Sequence, residues 1–162
     1  LAATVAPKYI NLTSDAKAAT LQAIRGSLST GVNLVQAKAI IKGQQNVVEE
    51  TVLTFDGLTF AIYNQGVPRE TWVNGFEQLI TGDFKYIGRG TGPMNTVCSG
   101  GDFCVIDVLP VSNVISGKGG WGIFFIPDGH KLADKNCFAF YAFEISSGLL
   151  TYKETGAVVD GC

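Results

Sequence analysis

Cys137-Phe138-Ala139-Phe140-Tyr141-Ala142-Phe143-Glu144-Ile145-Ser146-Ser147-Gly148-Leu149-Leu150-Thr151-Tyr152-Lys153-Glu154 is the stretch from which the fold is read. Two runs of strand length flank Ser146-Ser147-Gly148, whose residues suit a tight turn. The reading is a strand near 137–145 and another near 149–154. Phe138, Phe140 and Phe143 do not fit one strict alternation. That predicts a strand buried on both faces, or one that is bulged.

The same grammar extends upstream. Strands are read near 121–126, 103–109 and 84–88. Their separators are rich in glycine: Gly88-Arg89-Gly90-Thr91-Gly92-Pro93, Ser99-Gly100-Gly101, Gly117-Lys118-Gly119-Gly120 and Pro127-Asp128-Gly129. Val47 to Phe55 and Leu58 to Tyr63 read as two more strands. Asp56-Gly57 between them is a hairpin signal, because a type I′ turn needs positive φ at both central residues.

Helical spacing is confined to two segments. Residues 14–30 open with Ser14 as N-cap and Asp15 at the positive end of the dipole. Leu21, Ile24 and Leu28 form the buried face, and Gly31 is the expected stop. Pro68 is read as the start of a second helix. Trp72, Val73, Phe76, Leu79 and Ile80 lie on one side of it, and Gly82 ends it. Helices early and strands late predict an α+β fold. Its mostly antiparallel sheet would carry two helices packed on one face, in one domain over residues 1–162.

The chain has 162 residues, of which 46% are hydrophobic and only 16% charged. The usual charged share is about 25%, so an ordered chain with a weakly charged surface is expected. The net charge is -2 and no stretch concentrates Lys or Arg. Nucleic acid and anionic membrane surfaces are therefore not expected partners. No apolar run approaches the ~20 residues of a spanning helix.

The four cysteines are Cys98, Cys104, Cys137 and Cys162. A cysteine at the last position suggests two disulfides and an oxidising, extracellular location. Three pairings are open. The preferred one joins Cys98 to Cys104 and Cys137 to Cys162, leaving no terminal thiol. A first residue Leu1 in place of Met suggests a removed leader. Asn11-Leu12-Thr13 is a glycosylation sequon, which makes Asn11 a candidate modification site.

Chemistry-bearing residues are sparse. His130, the only histidine, falls in a turn with Asp128 and Asp134 close in sequence. It reads as a solvated turn residue rather than a general base. One histidine and the Cys98-to-Cys104 spacing argue against zinc. Glu49, Glu50, Asp102, Asp107 and Glu144 are candidates for the paired carboxylates of glycoside hydrolysis. Asp107 and Glu144 are the two embedded in apolar strands, although an exposed strand face is the plainer reading. The glycine-rich loops at 88–92 and 117–120 lack the helix and the Gly-Lys-Ser/Thr ending of a phosphate loop. Trp121, Tyr141 and Tyr152 are candidate stacking platforms for a sugar.

Leu58-Thr59-Phe60-Ala61-Ile62, a helix ending Phe76-Glu77-Gln78-Leu79-Ile80, then Gly88-Arg89-Gly90-Thr91-Gly92-Pro93-Met94 and Cys98 form an ordered set of pieces. This set resembles fungal secreted necrosis-inducing effectors related to killer toxins. The resemblance spans residues 58–98. It implies a compact α/β sandwich, no cofactor and an action on other cells. The leading expectation is a secreted effector or toxin-like protein that binds a protein or a cell-surface glycan, without catalysis. The alternative is a small secreted hydrolase or carbohydrate-binding module acting on cell-wall polysaccharide.

Overall fold

Thr13 begins the part of the chain, residues 13–162, that this computed structural model describes. Its side-chain oxygen accepts a hydrogen bond from the Ala16 backbone N–H, so Thr13 and not Ser14 caps the first helix. That helix, α1, spans Ser14–Ile41. Its 28 residues make a rod about 42 Å long. It runs well past the expected end at residue 30. Gly31 is no stop because Leu79 packs over it: a Cβ there would lie 3.2 Å from Leu79 Cδ1. Leu21, Ile24, Leu28, Val32, Val35 and Ala39 continue one buried stripe to the end.

The second expected helix is absent, and α1 is the one α-helix among the described residues. Residues 68–82 form turns, with a single 3-10 turn at Phe76–Gln78. Pro68 bridges Ile62, and the Arg69 N–H donates to Ala61 O, so this segment first runs on as an extension of a hairpin. Asn74 then adopts φ 57°, and a Cβ at Gly75 would stand 2.2 Å from Thr71 O. A regular helix cannot pass through that pair. Trp72, Phe76 and Ile80 are buried as the spacing implied, but on a folded loop.

The strands form two sheets. β1 (Thr51–Phe55) and β2 (Leu58–Ile62) are an antiparallel hairpin. Asp56 and Gly57 have φ of 50° and 76°, the positive pair that its turn requires. β1 is shorter than the strand read over 47–55. The larger sheet has the order β3 (Phe84–Arg89), β4 (Phe103–Pro110), β5 (Trp121–Pro127), β6 (Phe138–Ser146), β7 (Leu149–Val158). β3 and β4 are parallel, and every later neighbour is antiparallel.

This sheet is buried on both faces, which explains its unbroken apolar runs. On one face Phe103, Val105, Ile123, Phe125, Ala139, Tyr141 and Phe143 pack under the first part of α1 and the 68–82 loop. On the other, Cys104, Ile106, Phe124, Ile126, Phe138, Phe140 and Ala142 pack under Met94, Val111, Val114 and Leu132 from the connecting loops. Phe138 and Phe140 thus face the loops while Phe143 faces the helix. The second half of α1 is covered instead by the hairpin, where Val35 and Ala39 meet Leu53, Phe55, Phe60 and Ile62.

Two disulfides brace the sheet. Cys98 is bonded to Cys104 of β4, and Cys137, next to β6, is bonded to Cys162. Asn11 lies outside the described residues.

Candidate functional site

β4 breaks its register with β5 between Ile106 and Leu109. At the break Val108 adopts φ 48°. A β-branched residue in the left-handed region costs about 1–3 kcal/mol and persists only where its surroundings hold it. Here the Asp107 side chain supplies the hold. Its carboxylate is almost wholly buried and accepts hydrogen bonds from the Trp72 N–H and the Tyr86 hydroxyl, both at 2.8 Å. The Arg89 Nε stands 3.9 Å away. Asp107 therefore braces the bulge, and both its oxygens are occupied.

The bulge shapes one wall of a recess of about 590 Å³. Val108 lies beside Gly120 and Trp121 at the start of β5, with Phe143, Glu144 and Ile145 at the end of β6, and with Tyr63, Arg69 and Glu70. Trp121 pairs with Phe143 in the sheet register, which fixes their adjacency. Gly120 is required at its position: its φ is 83°, and a Cβ would sit 2.1 Å from Phe143 O.

Residues 63–70 are strapped onto the sheet from several sides. The buried Tyr141 hydroxyl donates to Pro68 O at 2.8 Å. The Asn64 side chain donates to Val47 O and accepts from the Leu150 N–H. Tyr63 donates to Glu50 Oε2 at 2.7 Å, and Arg69 Nη1 lies 3.3 Å from the same oxygen. Burial, then the hydrogen bond to Glu50, holds the Tyr63 hydroxyl above its ordinary range.

Two polar atoms among these residues are left over. Arg69 Nε and Glu70 Oε2 are covered from solvent and have no hydrogen-bond partner. Glu70 is 4% exposed. An unsatisfied buried polar group costs about 1–3 kcal/mol, so a pair of them beside one recess is costly in the free protein. Desolvation raises the Glu70 carboxyl above its ordinary value, with Asp107 and Glu50 adding to it. Its own backbone N–H and the Arg69 charge act in the opposite direction. By contrast Trp121, which contributes the recess its large aromatic surface, is 46% exposed.

The residues singled out in the sequence are distributed unevenly around this recess. Glu144 and Trp121 line it, Glu50 borders it through Tyr63 and Arg69, and Asp107 stands behind its wall. Tyr141 is fully buried, so it offers no stacking face. Tyr152 donates to Gly119 O, and Lys118 Nζ stands 5.4 Å from its ring centre. Glu49 is exposed ahead of β1. Asp102 sits in the turn before β4, where its N–H donates to Asp83. His130 follows the other end of β5, about 20 Å along the strand from Trp121. Burial lowers its pKa and Lys17 lowers it further, while Asp134 and Asp128 oppose the shift.

Tyr63, Arg69 and Glu70 are functional candidates that sequence reasoning missed. Arg69 and Glu70 fell inside a segment read as a helix, where their charges pass for a solvated face. The Asn74-Gly75 turn signal would have broken that helix. Among the described residues no group of His, Cys, Asp or Glu is placed to hold a metal ion, and no helix is long and apolar enough to cross a membrane. Comparison with known proteins finds no matching family model, no matching curated protein and no matching solved structure.

Proposed function

We propose that this protein is a secreted, effector- or toxin-like domain that acts by binding a partner and carries out no chemistry of its own. The two disulfides and the absence of a spanning helix among the described residues are consistent with an exported protein. One observation carries the binding half of the reading. Two of the candidate catalytic groups stand apart from the recess: His130 is at the far end of β5, and Asp107 has both oxygens engaged in bracing the bulge. The binding reading is supported by an exposed indole that shares a recess with polar groups that lack partners.

A specific observation favours one second reading. Glu70 has the raised carboxyl pKa of a general acid and shares its recess with Glu144. A small hydrolase acting on cell-wall polysaccharide would use that pair. Incubation with soluble β-glucans, chitin oligomers and mannans, followed by an assay for new reducing ends, separates the two. The binding reading predicts no release above a Glu70→Gln, Glu144→Gln double variant. Release by the native protein that the double variant lacks would establish the hydrolase.

A further inference from the structure

The Trp121 recess combines features that select a ligand class. It has a half-exposed indole, a buried donor without an acceptor at Arg69 Nε, and a buried acceptor without a donor at Glu70 Oε2. We propose that the recess is a subsite for a neutral glycan, with one sugar ring on the indole face and ring hydroxyls meeting Arg69 and Glu70. The proposal rests on the partner-binding reading and names the partner's chemistry.

The charge pattern argues for a neutral ligand. Glu70 and Glu144 line the recess and Glu50 borders it, with Arg69 among them already paired with Glu50, while Asp107 behind the wall has Arg89 beside it. An anionic ligand would meet mostly carboxylates. A cationic ligand would suit the carboxylates but has no lone pair for Arg69 Nε. A hydroxyl both donates and accepts, so adjacent hydroxyls on one ring answer both atoms. The C–H face of a sugar is apolar and matches the flat indole. The volume lies within the ~300–1,000 Å³ of small-ligand sites. Both orphan atoms are covered in the free protein, so side-chain rotation of Arg69 and Glu70 accompanies binding. That rotation exchanges an unmet hydrogen bond for a met one.

Calorimetric titration with cellohexaose, laminarihexaose, chitohexaose and mannohexaose tests this. At least one should bind the native protein, and Trp121→Ala should weaken it about tenfold. Trp121 is half exposed, so that variant keeps its fold; Glu70→Leu, which removes both the acceptor and the buried carboxyl, should weaken the same sugar. Failure of all four to bind, or an unchanged affinity in Trp121→Ala, overturns the assignment while leaving partner binding elsewhere on the molecule intact. Cleavage of a bound oligosaccharide leaves the subsite standing and overturns the binding-only reading.

Discussion

Glu70 is buried beside Arg69, yet its Oε2 meets no donor. Its folded carboxyl is raised above the unfolded value, chiefly by desolvation. The folded state therefore holds the proton more tightly than the unfolded chain does. The sign follows from linkage: Glu70's contribution is fully present below the unfolded glutamate value and is lost as pH rises toward the folded one. Glu70→Gln removes that loss. Thermal unfolding should show the variant more stable than the native protein near pH 7, with the gap closing in acid. Each kcal/mol regained moves the midpoint by about 2–4 °C in a chain of this size. An equal pH dependence in the two proteins would mean that Glu70 is solvated and ordinary. Val108 and Gly120 belong to the same residue-scale design, because each holds a left-handed backbone where the recess wall turns.

At the scale of elements, α1 joins two cores. Its first half covers the large sheet, and its second half carries the β1–β2 hairpin. Leu28 is fully buried at the first contact, whereas Ile40 is mostly exposed. Leu28→Ala should cost about 2–5 kcal/mol in denaturant unfolding, and Ile40→Ala close to nothing. The β-elements were legible because their signals are local: Asp56-Gly57 forces its turn, and the Phe124 and Phe140 runs are too apolar to face water. The 68–82 segment was misread because Trp72, Phe76 and Ile80 keep helical spacing while plugging a core from a loop. Gly31 was misread because a glycine that ends a helix and one that admits Leu79 look the same in one dimension. The site was half legible for a related reason. Trp121 and Glu144 stand out on apolar strands, but Tyr63, Arg69 and Glu70 reach them only through the tertiary straps of Tyr141 and Asn64.

At the scale of the molecule, the two disulfides close loops of different size. The sequence separation is 25 residues for Cys137–Cys162 and 6 for Cys98–Cys104. Chain entropy then assigns about 3.5 kcal/mol to the first and about 2 kcal/mol to the second. Paired Cys→Ser variants compared in guanidinium should lose stability in that order, and the reverse order would show that native strain dominates. The larger sheet, sealed on both faces, leaves the β4 bulge and the adjoining ends of β5 and β6 as the place where polar groups, an aromatic face and strained backbone converge. The account turns on that location. Backbone amide and indole N–H chemical shifts recorded during titration with the four hexasaccharides test it most directly. The account predicts that perturbations cluster at Tyr63, Arg69, Glu70, Gly120, Trp121 and Glu144, with the oligosaccharide recovered intact. Perturbations centred elsewhere, such as on Lys153 and Asn33 between β7 and α1, or no perturbation with any of the four, would contradict it.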